Sequence, residues 1–236
     1  MNALHILTAC LALSLPACGP EAPADTPLAT PAQTSASGAA ATDDPDSPYR
    51  FDQPVARFEM PDALREISAL TVLPDGSLGA VQDEDGELYV LSAETGRVTS
   101  VVSFGPPGDY EGVELAGDRL FVLRADGALL ELQDWARGEA RATVYDTDLG
   151  AKRCDAEGLG YDAAAGHLLI ACKEEDDDGL NRVYAFDLAT NALAPDPAVV
   201  LDPDAVEGDK KLRPSALAVH PITGQTVVLS SKRESL

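Results

Sequence analysis

The stretch Glu66-Ile67-Ser68-Ala69-Leu70-Thr71-Val72-Leu73-Pro74-Asp75-Gly76 opens a unit that recurs along the chain. Its counterparts begin at Asp109, Asp155 and Arg213. Each contains a small residue followed by a larger apolar one, and aligning these pairs gives intervals of 43, 46 and 58 residues. The pairs are Ala69-Leu70, Gly112-Val113, Gly158-Leu159 and Ala216-Leu217. A period of about 40 to 50 residues is typical of a β-propeller when each repeat is built from short strands.

Residues typical of hairpin turns follow each stretch. In the first unit, turns at 74–76, 85–86 and 94–96 separate four short apolar runs, which is enough for one four-stranded blade. The sequence therefore predicts an all-β chain, a β-propeller of four-stranded blades with four blade starts. The last unit, which starts at Arg213, is incomplete, so we expect a C-terminal truncation or, alternatively, an open short form. A sandwich of unrelated hairpins is the other interpretation.

The composition of the first 48 residues indicates a targeting segment that does not belong to the folded domain. Residues 1–18 contain the apolar run Leu4–Leu15 and end in Leu15-Pro16-Ala17-Cys18, which resembles the lipobox of bacterial lipoproteins. We interpret 1–18 as a lipoprotein signal peptide, with cleavage before Cys18 and lipidation of its sulfur. A second lipobox at Leu7-Thr8-Ala9-Cys10 and a plain secretory signal remain alternatives.

Residues 19–48 are rich in Pro, Ala, Thr and Ser and predict a disordered tether. The propeller domain is assigned to 49–236, and Val55–Met60 is expected to be an extra strand that completes the last blade. These features predict a protein of the bacterial cell envelope, anchored on the periplasmic or surface side. Its contact with the membrane would run through the lipid alone.

The chain is strongly acidic, with a formal net charge of −23. The acidic residues before position 49 are only Glu21, Asp25, Asp43, Asp44 and Asp46, so the negative charge belongs mainly to the domain. A surface this negative argues against binding nucleic acid or anionic lipid. It is compatible with metal cations, cationic partners or simple solubility.

Acidic residues recur where the propeller channel is expected. The first strand of each blade lines the channel, and residues two apart on a strand share a face. Five carboxylates are therefore expected at one level of the channel, as ligands of Ca²⁺ or Mg²⁺. They are Glu66, Asp109, Glu111, Asp155 and Glu157. An internal polar network, with Lys173 or Arg213 as counter-charge, and direct contact with a ligand are the alternatives.

Two cysteines lie in the domain, Cys154 and Cys172. If 158–162 and 167–171 pair as a hairpin, the two side chains come close enough for a disulfide, which export would permit. Two reduced, buried thiols are equally compatible with the sequence.

Several phrases together resemble the SdiA-regulated family of bacterial envelope proteins. They are Glu66-Ile67-Ser68-Ala69-Leu70, Gln82-Asp83-Glu84-Asp85-Gly86, Gly108-Asp109-Tyr110-Glu111-Gly112, Cys154-Asp155-Ala156-Glu157-Gly158-Leu159, Ala171-Cys172-Lys173 and Pro214-Ser215-Ala216-Leu217-Ala218-Val219-His220-Pro221. The similarity covers roughly 55–236. It implies an exported or anchored propeller of unassigned activity, continuing past position 236 with at least one more blade.

The sequence favours a binding or scaffolding module over an enzyme. Neither a GxSxG nor an HExxH motif is present, and the domain contains only His167 and His220. The expected partner is an unidentified small ligand or envelope protein, with Ca²⁺ in the acidic channel as the expected cofactor. A metal-dependent hydrolase of the lactonase or phosphoesterase type is the alternative.

Overall fold

A computed structural model describes residues 54–150, 154–173, 178–205 and 212–231 of the chain. The signal peptide, the lipidation site at Cys18 and the tether lie outside the described residues, as do positions 174–177 of the acidic insertion. In the part that is described, no helix has the length and apolar character needed to cross a membrane.

The described strands form consecutive antiparallel sheets, which are the blades of a propeller. Blades 1 and 2 each contain four strands in chain order. In blade 3 the last two short strands both pair with the third strand, and blade 4 is a two-stranded hairpin. Blade 1 contains β1 (Ile67–Val72), β2 (Leu78–Gln82), β3 (Glu87–Leu91) and β4 (Val98–Ser103). Blade 2 contains β5 (Tyr110–Ala116), β6 (Arg119–Arg124), β7 (Leu129–Gln133) and β8 (Arg141–Tyr145). Blade 3 contains β9 (Ala156–Asp162), β10 (His167–Cys172), β11 (Asn181–Asp187), β12 (Ala192–Leu193) and β13 (Val199–Leu201), and blade 4 contains β14 (Pro214–Val219) and β15 (Thr226–Ser230).

The recurring stretches become the first strands of the blades, as the sequence predicted. These inner strands, β1, β5, β9 and β14, lie side by side. Separate apolar cores fill the seams between successive blades. The larger residue of each aligned pair faces the preceding blade: Val113, Leu159 and Leu217 are buried, whereas Leu70 in blade 1 is 37% exposed. The predicted propeller architecture is therefore confirmed, although the described blades do not close into a ring.

The extra strand expected at Val55–Met60, before blade 1, is not formed. Residues 55–60 are irregular. Met60 packs against the outer face of blade 1, in a small cluster with Leu64, Tyr89 and Leu91. Phe58 lies against Gly96, whose positive φ of 67° belongs to the β3–β4 turn. Phe58 and Met60 therefore contact blade 1 by side-chain packing, not by strand pairing, while Val55 is exposed.

Close packing of the inner strands requires a small residue at Gly112. A Cβ atom there would lie 2.8 Å from the Cβ of Leu159 in blade 3 and 3.0 Å from the Cβ of Leu123 in blade 2. Neither neighbour can rotate away, because both contacts are made at the root of the side chain. The seam between blades 2 and 3 therefore depends on the missing side chain.

We expect Gly112→Ala to lower the free energy of unfolding by about 1–3 kcal/mol, through overpacking of this seam. Ala69 holds the aligned position in blade 1, so Ala69→Gly is a matched control. That change should cost less than about 1 kcal/mol. Chemical denaturation of both variants measures the difference, and equal losses would contradict the packing argument.

Candidate functional site

The same irregularity interrupts every inner strand. The pairing of β5 with β6 passes from Tyr110↔Arg124 to Gly112↔Leu123, which leaves Glu111 without an opposite residue. In the same way, the ladder skips Ser68 in β1, Glu157 in β9 and Ser215 in β14. These four residues form the column that the repeated stretch aligns. A β-bulge twists the strand locally and re-aims the side chain of the extra residue.

The bulges of blades 2 and 3 belong to a compact group of charged side chains. The acidic cluster, as we call it, consists of Asp109, Glu111, Asp155, Glu157 and Lys173. The ammonium of Lys173 donates a hydrogen bond to Oε1 of Glu157, and its Nζ lies 4.0 Å from Oδ2 of Asp155. The charges of Asp109 and Glu157 both act on Glu111. Four of the five predicted carboxylates are thus brought together with one cation.

Backbone hydrogen bonds fix the spacing between these strand starts. Ala125, in the β6–β7 turn, donates its N–H to the carbonyl of Asp109 at 2.9 Å. Its own carbonyl accepts the N–H of Ala156, also at 2.9 Å. A single residue, Ala125, therefore ties the approach to β5 to the start of β9. The cluster is held by the scaffold as well as by its side chains.

Crowding of carboxylates in a partly buried place changes their protonation. Burial raises the pKa of Glu111 to about 8, with further contributions from the charge of Glu157 and a hydrogen bond to Asp109. Burial also raises the pKa of Glu157, although Lys173 acts in the opposite direction. The pKa of Lys173 is raised, because the attraction of Glu157, Asp155 and Glu111 outweighs desolvation. Near neutral pH, Glu111 therefore holds a proton that a bound cation would displace.

Glu66, the fifth predicted member, lies elsewhere. It is exposed and lines a cleft of about 450 Å³ on blade 1, together with Arg65, Gln82 and Tyr89. Like Asp109 and Asp155, Glu66 directly precedes the first residue of its inner strand. Blade 1 has no carboxylate at its bulge, however, because Ser68 holds that position.

The residues present do not make a ready cage for Ca²⁺ or Mg²⁺. Among the described residues, no group of three His, Cys, Asp or Glu side chains is arranged to hold a metal ion. Lys173 already supplies a positive charge between Glu157 and Asp155. The arrangement is that of an internal polar network with surplus negative charge, one of the alternatives that the sequence left open.

Cys154 and Cys172 form a disulfide in the structure. The pairing partner of Cys172 across the β9–β10 ladder is Ala156, so the bridge lies beside the bulge at Glu157. Both cysteines are buried. Of the two possibilities that the sequence left open, the structure contains the disulfide.

The domain histidines lie away from the acidic cluster. His167 opens β10 at the hairpin turn opposite the Cys172 end, with Nε2 3.9 Å from Oδ2 of Asp187. His220 follows β14, and its Nδ1 accepts the backbone N–H groups of Ile222 and Thr223. Both histidines therefore belong to turns at the far ends of their strands.

Glu114 is a titratable group that sequence analysis did not single out. It lies two residues after Gly112, on the face of β5 that packs towards blade 3. Burial raises its pKa to about 8, and no other group contributes. The signal in the sequence was an acid in a column of the repeat that otherwise holds small uncharged residues, Thr71, Gly160 and Ala218.

Comparison with known proteins supports the fold alone. No protein-family model matches the chain, and no curated protein matches it in sequence. The structure is similar to glutaminyl cyclase of Myxococcus xanthus, with a TM-score of 0.50 and 14% identity over 75% of this chain and 72% of that one. Weaker similarities are to the β-propeller domain of Cps50 (Swd1) from Myceliophteria thermophila (TM-score 0.48, 13% identity, 78% and 58% covered) and to virginiamycin B lyase of Staphylococcus aureus (TM-score 0.47, 11% identity, 71% and 50% covered). The chain thus spans 58% of the propeller domain and half of the lyase.

Proposed function

We propose that this protein is an envelope-anchored propeller that works as a binding module, and that its acidic cluster binds a cationic group of a ligand or partner. The propeller supplies a rigid scaffold, and the bulges at Glu111 and Glu157 aim two carboxylates from neighbouring blades into one group. Location in the envelope rests on the signal and lipobox at Cys18. Membership of the SdiA-regulated family remains a proposal from the resembling phrases.

One observation carries the choice of ligand: the ammonium of Lys173 already sits among the carboxylates. The cluster accommodates a primary amine by charge-assisted hydrogen bonds, which are about twice as strong as hydrogen bonds between neutral groups. The acidic cluster contains four carboxyl groups and only one cation, Lys173, so it has room for a second positive charge. We therefore favour an organic ammonium or guanidinium group over a bare metal ion. No observation in the described residues favours the hydrolase alternative.

Titration calorimetry with spermidine and, separately, with CaCl₂ tests this proposal on the full chain. We expect saturable spermidine binding that strengthens as pH rises through about 8, since Glu111 must lose its proton. The Glu111→Gln/Glu157→Gln variant should bind at least about tenfold more weakly, a loss of about 1.4 kcal/mol.

The matched control is Asp118→Asn/Glu139→Gln, which replaces two exposed carboxyl groups outside the cluster by amides. It should bind spermidine as the wild type does. Equal weakening in both double variants would reduce the effect to overall charge and contradict the proposal. Calcium heat with no spermidine heat would instead restore the metal hypothesis.

A further inference from the structure

The third blade differs from the others at its bulge. All four inner strands skip one residue, but only the bulge at Glu157 is flanked by cysteines: after Cys10 and Cys18, the chain contains only Cys154 and Cys172. A bulge disrupts the ladder locally, so the residues around it are held by fewer backbone hydrogen bonds. The disulfide replaces that missing restraint with a covalent one.

The bridge joins the two chain segments that carry charge into the acidic cluster. Asp155 directly follows Cys154, and Lys173 directly follows Cys172. The backbone N–H of Lys173 donates to the carbonyl of Asp155 at 2.8 Å, which continues the link by one residue on each side. The segments bearing Asp155 and Lys173 are therefore fixed relative to each other.

Asn181, at the start of β11, also binds the segment that carries Lys173. Its side chain is fully buried, and Nδ2 donates to the carbonyls of Cys172 at 3.4 Å and Lys173 at 3.1 Å. Its Oδ1 is buried without a hydrogen-bond partner. An unpaired buried acceptor is unfavourable, so the stabilising contribution of Asn181 comes from the two hydrogen bonds that its Nδ2 donates.

We infer that the Cys154–Cys172 disulfide and Asn181 are a positioning frame, which sets the ammonium of Lys173 against Glu157 and Asp155 and so shapes the acidic cluster for its cationic ligand. This assignment rests on the proposed function for its ligand, but its geometry is independent of that function. The frame acts through Lys173 and Asp155, so its loss should affect binding more than folding.

The test compares three variants of the full chain with the wild type: Cys154→Ser/Cys172→Ser, Asn181→Ala and Leu168→Ala. Leu168 is buried in β10 at the opposite end of the same hairpin, so its truncation lowers the stability of blade 3 without touching the frame. Each protein is titrated with spermidine, and amide hydrogen exchange is followed at Lys173. Asn181→Ala keeps the disulfide and serves if the double serine variant does not fold.

We expect the two frame variants to bind spermidine at least about tenfold more weakly and to lose exchange protection at Lys173, while Leu168→Ala keeps both. Unchanged affinity in the frame variants, or equal weakening in Leu168→Ala, would overturn the assignment. If the wild type itself does not bind spermidine, the proposed function fails and the exchange result decides alone. Selective loss of protection at Lys173 would then still support the frame, and unchanged protection would overturn it.

Discussion

Replacing Glu114 with Met is expected to stabilise the protein at pH 7 by about 3 kcal/mol. The folded-state pKa of this carboxyl is raised by burial from the ordinary 4.5 to about 8. No charged group or hydrogen bond among the described residues contributes to this shift. In the folded protein, the Glu114 carboxyl must therefore either stay protonated or be buried as an anion, and both are unfavourable at neutral pH.

The sign of the pH dependence follows from that shift. Below about pH 4.5 the Glu114 carboxyl is protonated in both the folded and the unfolded protein, so it does not lower the free energy of unfolding. Between 4.5 and about 8 the unfolded chain releases the proton that the folded chain retains, so stability falls by about 1.4 kcal/mol per pH unit. Above about 8 the loss is complete.

Denaturant unfolding from pH 4 to 9 measures this effect in Glu114→Met and in the wild type. Glu111 contributes a similar slope to both proteins, so the difference between the two curves isolates Glu114. The control Glu139→Met removes an exposed acid and should shift stability by less than about 0.5 kcal/mol at every pH. Parallel curves for Glu114→Met and the wild type would show that the carboxyl is solvated.

The second large effect is expected at Arg119, which links blades 2 and 3. Its guanidinium binds Glu131 through two hydrogen bonds of 2.9 and 2.8 Å and lies 4.8 Å above the ring centroid of Phe121. It also donates to the carbonyl of Leu188 at 3.0 Å and to Oδ1 of Asn191 at 2.8 Å, both in the β11–β12 turn. The side chains of Arg119 and Glu131 are only 24% and 15% exposed.

We expect Arg119→Met to lower the free energy of unfolding by about 3 kcal/mol, because it leaves the largely buried carboxylate of Glu131 without its cation. Arg119→Lys should recover only part of this loss, since an ammonium cannot reproduce the planar two-pronged contact. Arg141→Met is the matched control, because Arg141 is 75% exposed in its pair with Asp134. It should cost less than about 1 kcal/mol, and similar losses for Arg119→Met and Arg141→Met in thermal unfolding would remove the inter-blade role of Arg119.

The sequence was informative where local chemistry determines local structure. Turns at 74–76, 85–86 and 94–96 were found where predicted, because proline, aspartate and glycine favour the required backbone conformations: Gly76 and Gly96 have φ of 82° and 67°. The repeated small-apolar pairs marked the inner strands for a packing reason. Gly112 faces a neighbouring blade at a distance that excludes a side chain, and its apolar neighbour Val113 fills the seam before it.

The parts that sequence could not predict depend on register. Glu66 and Asp109 occupy the same column of the repeat, yet only Asp109 belongs to the acidic cluster. The bulges were invisible in the sequence, since a skipped residue changes the pairing and not the composition. The position of Lys173 follows from the β9–β10 register, which carries Cys172 opposite Ala156. A count of carboxylates therefore could not decide between a metal site and a polar network with Lys173 as counter-charge, and the folded chain places that ammonium beside Glu157 and Asp155.

Cationic groups should bind at the bulged ends of the inner strands, and chemical-shift mapping by NMR tests this most directly. On titration with spermidine at pH 8, the amides of Glu111, Glu157 and Lys173 should shift together along one saturable curve. The amides of Gly117 and Asp118, in the turn at the other end of β5, should not move. Shifts at the turn that match those at the bulges, or no saturable shift at Glu111 and Glu157, would contradict the account.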